Sequence, residues 1–169
     1  MQVRCRLVQV LAVAFVVAIA SPALAALPSG KYEYTIRHPV FGQIGTHTAE
    51  FRHDGDNLIV LTSIRLSVGL PLVHLYTFES EGREVWRDGR LISASAVTND
   101  NGTQLRVTAR LEGERLVVDG PKGRHEATGQ IGTTTFWNAA AVSASQFWEP
   151  TTGLFYNVGI TPTGRDIVQ

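Results

Sequence analysis

Apolar and polar side chains alternate with a period of two through most of the chain after residue 30. The clearest segment alternates four apolar residues with four polar ones: Leu105, Val107, Ala109 and Leu111 against Gln104, Arg106, Thr108 and Arg110. Residues 31–37 and 46–53 show the same pattern. Because successive side chains of a β-strand point to opposite faces, these segments predict antiparallel strands with one buried and one solvated face.

Glycine-containing turn dipeptides separate the alternating segments. They are Asp54-Gly55, Glu81-Gly82, Asp88-Gly89, Asn101-Gly102, Glu112-Gly113 and Asp119-Gly120. Asp-Gly and Asn-Gly favour the positive φ of tight hairpin turns, and regular spacing of such turns indicates a meander. We therefore expect an all-β fold of nine or ten antiparallel strands in one strongly curved sheet or half-open barrel. A flat sheet of that width would leave two long edges and an uncovered apolar face.

One short segment departs from the period of two. Asn138 is placed to cap a helix over residues 139–148, which Pro150 would end. Four aromatic residues flank or end this segment, Phe136, Trp137, Phe147 and Trp148. We expect a short helix that plugs the concave side of the sheet. Residues 57–66 and 70–78 are apolar on both faces, which predicts a covering layer, and two closing strands are expected around 154–161 and 165–168.

The first 25 residues have the pattern of an export signal. Arg4 and Arg6 precede an apolar run from Leu7 to Ala20, and Ala23-Leu24-Ala25 has the small-x-small form of a cleavage site. As a helix this run would span about 21 Å, less than the roughly 30 Å of membrane hydrocarbon, so a cleaved signal is favoured over a transmembrane anchor. We expect cleavage near Ala25, a single β domain over 26–169, and a periplasmic or secreted location.

Composition excludes several classes of function. The 169 residues carry 15 basic and 15 acidic side chains, so no strong positive field would recruit nucleic acid. The only cysteine, Cys5, lies in the predicted signal, which excludes thiol catalysis and disulfides in the mature chain. His47 and His53 share a strand face but stand about 20 Å apart, too far to ligate one ion. No cofactor, metal site or catalytic motif is indicated.

The leading hypothesis is an exported, non-enzymatic protein that holds an apolar small molecule or lipid-like group in the hollow of the sheet. Eight aromatic residues would line the hollow: Tyr32, Tyr34, Tyr76, Trp86, Phe136, Trp137, Phe147 and Trp148. Aromatic rings with a few polar groups are typical of such sites. No protein partner is indicated. A free volume of about 300 Å³ or more beneath residues 136–148 would favour this hypothesis over a purely structural role.

Two alternatives stay open. A carboxylate-dependent hydrolase would use Glu84, Asp88 or Asp100 with His125, and it requires at least two of these groups within about 5–10 Å in one cleft. A structural or interaction protein would instead offer an exposed edge strand to a partner, expected within 57–66 or 154–161.

The stretch around Glu84 also has an ordinary structural interpretation. Trp86 would belong to the core, Asp88-Gly89 would form a turn, and the acidic side chains would pair with Arg87 or Arg90 near the surface. This interpretation is favoured over a sugar-binding pair of carboxylates. Residues i and i+4 on a strand stand about 13 Å apart, wider than glycosidase geometries.

Three ordered motifs resemble those of an uncharacterised exported bacterial family of about this length. They are Glu84-x-Trp86-x-Asp88-Gly89-Arg90-Leu91, Thr98-Asn99-Asp100-Asn101-Gly102 and Thr135-Phe136-Trp137-Asn138. The resemblance implies a secreted or periplasmic protein of antiparallel β architecture, and it brings no catalytic residues. More remotely, the layout is similar to the lipoprotein-carrier and lipoprotein-receptor fold, a curved sheet half-closed around an apolar hollow. That second similarity rests on topology alone.

Overall fold

The computed structural model describes residues 29–70, 73–135 and 137–161. The predicted signal at residues 1–25, the predicted strand at 165–168 and Phe136 lie outside the described residues.

Eight strands form one antiparallel meander. They are β1 (Gly30–His38), β2 (Gly42–Asp54), β3 (Asn57–Leu70), β4 (Val73–Arg87), β5 (Arg90–Asp100), β6 (Thr103–Glu112), β7 (Arg115–Gly120) and β8 (Gly123–Thr128). Each strand pairs with the next, so their order in the sheet is their order in the chain. Strands β1 and β8 form the two edges, and the sheet is not closed into a barrel. The all-β meander predicted from the turn dipeptides and the alternation is thereby confirmed.

A second, smaller sheet follows the meander. It contains β9 (Ile131–Thr133), β10 (Gln146–Trp148) and β11 (Phe155–Asn157), with β10 in the middle. Strand β10 pairs parallel with β9 and antiparallel with β11. A 3₁₀ turn, Ala139–Ser143, lies between β9 and β10. We refer to residues 131–158 as the cap layer.

One hydrophobic core joins the cap layer to the large sheet. The register places a single face of the meander inward, and its buried residues from β2 to β8 form one cluster with Ile131 and Trp148 of the cap layer. Trp148 is only 1% exposed. The ring of Trp137 contacts Phe51 of β2, whereas Gly153 lies beside Val118 and Gly120 of β7. Strands β2 and β7 would stand about 24 Å apart in a flat sheet, so we infer that the sheet curves around this small layer. The cap layer therefore lies in the concavity, as expected for the aromatic segment.

The segment predicted as a ten-residue helix is mostly not helical. Its first half is the short 3₁₀ turn, in which the backbone N–H of Ala141 donates to the carbonyl of Asn138 and that of Ala144 donates to Ala141. Its second half is strand β10. A helix of that length is marginal in isolation, and the backbone of β10 gains partners on both sides from β9 and β11. Tertiary pairing thus overrides local propensity.

Three further expectations require correction. The meander has eight strands in one sheet, with three more described strands in the small sheet, where nine or ten in one sheet were expected. Glu81-Gly82 is not a turn but lies inside β4, where Gly82 faces Thr62 across the β3–β4 pair. Residues 57–66 are not an edge, because β3 pairs with β2 and β4. Edge positions depend on sheet order, which local pattern does not specify.

The turns at Asp88-Gly89 and Asn101-Gly102 are confirmed. Asp88 and Asn101 have φ of 50° and 48°, and the glycines that follow have φ of 73° and 95°. Two successive positive φ values are the geometry of the hairpin turn that matches strand twist. No helix within the described ranges is long and apolar enough to cross a membrane.

Candidate functional site

A cavity of about 460 Å³ lies between the concave face of the large sheet and the cap layer. Its floor comes from β2 to β5 and its other wall from Thr134, Thr135 and residues 148–151. The floor residues are His47, Thr62, Ile64, Phe78, Ser80, Gly82, Glu84 and Ala96. Those named positions share one face because the strand register brings them opposite one another. The same alternation that predicts the fold therefore builds the floor of the cavity.

Glu84, a residue that is only 3% exposed, ends the cavity floor with its carboxyl group. Its Oε2 accepts hydrogen bonds from the indole N–H groups of Trp86, at 2.8 Å, and Trp137, at 3.0 Å. Its Oε1 accepts one from the hydroxyl of Thr135 at 3.1 Å. Thr135 also shares a 2.6 Å hydrogen bond with the hydroxyl of Thr133. The carboxyl group thus joins β4 to the segment of the cap layer that follows β9.

Burial shifts the pKa of Glu84 in the direction that favours its protonated form. Removal from water raises the pKa of its carboxyl group above the ordinary value, against the hydrogen bonds from Trp137, Trp86, Thr135 and Thr133 that act to lower it. A buried carboxyl group without a cationic partner avoids the cost of charge burial by holding its proton. The neutral form fits these surroundings, because Oε2 still accepts both indole N–H groups. In that form the Thr135 hydroxyl reverses its role, accepting from a protonated Oε1 and donating to Thr133.

Glu149 lies across the cavity and has the opposite behaviour. Its carboxylate accepts hydrogen bonds from the backbone N–H of Thr151 at 2.7 Å and of Thr152 at 2.8 Å, and from the Thr152 hydroxyl. Burial raises the pKa of this carboxyl group, but the hydrogen bonds from Thr152 and Thr151 outweigh burial and hold the pKa below its ordinary value. Glu149 is therefore a fixed negative charge beside the cavity.

His47 lies where the main cavity meets a smaller one. The smaller cavity, of about 220 Å³, is lined by Tyr34, His47, Ala49, Phe51, Thr135 and Trp137. The Nε2 atom of His47 is buried and has no hydrogen-bond partner within the described part of the chain. Burial lowers the pKa of His47, so its imidazole is held toward the neutral form.

A second depression of about 450 Å³ opens beside the β4–β5 turn, between Asp88–Leu91 and residues 129–131. It does not lie under the aromatic part of the cap layer. The cavity beside Glu84 combines enclosure by two layers with two carboxyl groups of shifted pKa, which are typical features of functional sites. Across the described ranges, no three His, Cys, Asp or Glu side chains are grouped to hold a metal ion.

The predicted ligand-binding aromatics fall into several environments. Trp148 lines the main cavity, Tyr34 and Trp137 line the smaller one, and Trp86 supports Glu84 from within the core. Tyr32 is 44% exposed on β1, where its ring contacts Phe51 edge-on. The other two lie away from these walls: the Tyr76 hydroxyl donates to Asp100 at 2.7 Å, and Phe147 packs in a separate cluster with Ala141 and Ala144.

The residues of the hydrolase alternative occupy different parts of the sheet. Glu84 is buried on β4, and Asp88 lies in the turn after it. Asp100 pairs with Phe78, six residues and about 20 Å along β4 from Glu84. His125 lies on edge strand β8, where Nε2 is 3.0 Å from the carbonyl oxygen of Lys122. This arrangement does not favour a common cleft.

The structural interpretation of the Glu84 stretch is right in two respects and wrong in one. Trp86 is a core residue at 4% exposure, and Asp88-Gly89 is a turn. Glu84, however, does not pair with Arg87 or Arg90, because it faces inward and its partners are indole and hydroxyl groups. Strand alternation already places Glu84 on the same face as Trp86, which is the signal that could have predicted its burial. Nothing in the local sequence pointed to His47, Thr62, Ser80 or Glu149 as cavity residues.

Comparison with known proteins gives a family but no function. No curated protein and no solved structure matches the chain. A family model described as "Domain of unknown function (DUF6134)" matches residues 42–169, which include β2–β11 and all the lining residues of the 460 Å³ cavity. The predicted resemblance to an uncharacterised family is thus confirmed. The chain belongs to the DUF6134 family of domains of unknown function.

Proposed function

We propose that this protein is a non-enzymatic binding module that holds a small apolar or lipid-like ligand between its curved sheet and its cap layer. The observation that carries the proposal is the cavity of about 460 Å³ enclosed by those two layers. Small-molecule sites commonly occupy roughly 300–1,000 Å³. Protein interiors are otherwise close-packed, so a cavity of this volume is not expected in a protein with a purely structural role.

The lining supports a ligand with an apolar body. Ile64, Phe78, Ala96, Trp148 and Pro150 contribute apolar surface, and a few hydroxyl groups lie among them. This combination is typical of sites in which apolar contact supplies affinity and isolated polar groups orient the ligand. The volume equals that of roughly fifteen water molecules at about 30 Å³ each, so it suits one short chain or one small ring system.

The two carboxyl groups beside the cavity support binding over hydrolysis. The carboxyl oxygens of Glu84 and Glu149 are already engaged by hydrogen bonds from the protein itself. A general acid or base must instead present its carboxyl group to the substrate within hydrogen-bond reach. The export signal predicted from residues 1–25 supports a location in the periplasm or outside the cell for this binding module.

The test begins with native mass spectrometry of the full chain purified from the cells that produce it. A co-purifying apolar species is expected. The delipidated protein is then titrated with 1-octanol and octanoate, and binding is followed by calorimetry and by tryptophan fluorescence. Saturable binding of at least one probe supports the proposal. A protein that carries no species and binds neither probe would overturn it.

A matched pair of variants locates the binding. Ile64→Trp adds volume to a side chain on the cavity floor, whereas Val97→Trp adds the same kind of ring on the opposite face, where Val97 is 38% exposed. The first should lower probe affinity at least tenfold and the second should leave it unchanged. Circular dichroism verifies that both variants retain the fold. Equal binding by a folded Ile64→Trp variant would place the ligand elsewhere and contradict the proposal.

A further inference from the structure

We propose that the cavity selects ligands with an uncharged hydroxyl head group and rejects carboxylates such as fatty acids. This inference rests on the proposed function and specifies the chemical class of its ligand. The observations behind it are the signs of the charges at the cavity, the faces from which they project, and the hydroxyl groups on its walls.

Glu149 supplies the negative charge that faces the cavity. The carboxyl group of Glu84, whose raised pKa favours the neutral form, lies on the opposite wall. Arg83 is the one arginine or lysine among the described lining residues, and it alternates with Gly82 and Glu84 along β4. Its side chain therefore projects to the convex face, where it is exposed. A ligand carboxylate within the cavity would meet no arginine or lysine among these residues.

The carboxylate of Glu149 would also repel an anionic ligand directly. Its oxygens are held by the backbone N–H groups of Thr151 and Thr152, which keep its charge in place rather than letting it turn away. A second carboxylate nearby would lose its hydration and gain a like-charged neighbour, and both effects oppose binding. His47, the remaining titratable group on the floor, has its pKa lowered by burial and so offers no compensating positive charge.

Hydroxyl groups supply the polar partners that the cavity does have. Thr62 and Ser80 lie on its floor and Thr151 lies on the cap side. The Ser80 hydroxyl shares a 2.8 Å hydrogen bond with Thr98, in which either oxygen can donate. A hydroxyl is both donor and acceptor, and it hydrogen-bonds equally well to another hydroxyl. An alcohol therefore finds partners here without bringing a charge into the cavity.

The experiment compares three probes of the same chain length at pH 7: 1-octanol, octanoate and methyl octanoate. Calorimetry should show 1-octanol binding at least tenfold more tightly than octanoate, and methyl octanoate should regain much of the affinity because esterification removes the charge. Octanoate binding as tightly as both uncharged probes would overturn the inference while leaving the proposed function intact. Failure of all three probes, together with the absence of a co-purifying species, would overturn the proposed function itself.

Two variants separate the cavity charge from the general charge of the surface. Glu149→Gln removes the negative charge beside the cavity and keeps one carbonyl oxygen, which can still accept the two hydrogen bonds from Thr152, while the backbone N–H of Thr151 loses its acceptor. It should reduce the preference for 1-octanol over octanoate at least threefold. Glu81→Gln is the control, because Glu81 pairs with Arg65 at the surface and its side chain is 71% exposed. Identical preferences in all three proteins would contradict the role of Glu149, and the three-probe comparison in the wild-type chain tests the selectivity independently.

Discussion

Trp86 and Trp137 donate their indole N–H groups to the same oxygen atom, Oε2 of Glu84. The two rings are perpendicular, at 89°, with centroids 5.3 Å apart. Trp137 also meets Phe51 edge-on at 5.5 Å. Trp86 and Phe51 belong to the large sheet, whereas Trp137 belongs to the cap layer. The aromatic contacts and the shared acceptor thus fasten the cap layer to the sheet at the end of the cavity.

Replacing Glu84 should separate the contribution of its hydrogen bonds from that of its charge. Glu84→Ala leaves two buried indole donors without their acceptor and opens a void, so the free energy of unfolding should fall by about 3 kcal/mol or more. Glu84→Gln preserves the shape: its carbonyl oxygen can accept from both indoles and its amide can donate to Thr135. Its loss should stay below about 1.5 kcal/mol. Urea denaturation of both variants measures the difference.

The outcome of this comparison distinguishes a neutral carboxyl group from an ionised one. If Glu84 were ionised in the folded protein, an amide would forfeit charge-assisted hydrogen bonds, and Glu84→Gln would be nearly as damaging as Glu84→Ala. Equal losses in the two variants would therefore contradict the neutral form. Glu81→Gln on the convex face serves as the control for replacing an exposed, ion-paired glutamate, and it should change stability by less than about 0.5 kcal/mol.

The sequence specified the sheet far better than the site. Alternation and the dipeptides Asp88-Gly89 and Asn101-Gly102 are local signals, and adjacent strands joined by tight turns have their pairing determined by them. The surroundings of Glu84 are not local, because Thr135 and Trp137 lie 51 and 53 residues further along the chain. The strand at Gln146–Trp148 was likewise hidden, since its partners are the distant β9 and β11. Pairing with strands that are distant in the chain produces no recognisable pattern within these short segments.

Glu84 should contribute to the pH dependence of the free energy of unfolding, and the direction of that contribution follows from its raised pKa. Burial raises its pKa above the ordinary 4.5, so between pH 4.5 and the raised pKa the folded protein holds a proton that the unfolded chain has lost. The free energy of unfolding attributable to Glu84 therefore falls as the pH rises through this window and is constant above it. Glu149 has a lowered pKa and acts below pH 4.5, where its stabilisation is lost as the pH falls.

Subtracting the Glu84→Gln curve from the wild-type curve isolates this contribution. His47 also titrates, and its lowered pKa makes stability rise with pH between its folded pKa and 6.5, but this effect is present in both proteins and cancels. Urea denaturation at half-unit pH steps from 4 to 8 provides the two curves. The wild-type advantage should be largest near pH 4.5 and should decline with increasing pH. A difference that stays flat, or grows with pH, would show that Glu84 does not hold its proton in the folded state.

Gly82 should be intolerant of a side chain because of Thr62, its partner across the β3–β4 pair. A Cβ at position 82 would lie 2.5 Å from Thr62 Oγ1, so Gly82→Ala should destabilise the protein by about 1–3 kcal/mol. Thr62→Ala removes the obstructing oxygen, and the double variant should regain most of that loss, giving a coupling energy of about 1 kcal/mol or more. Gly159→Ala is the matched control, since a Cβ there meets nothing within 4 Å. Urea denaturation of the four proteins gives the coupling, and additive effects at positions 62 and 82 would contradict the close contact that shapes the cavity floor.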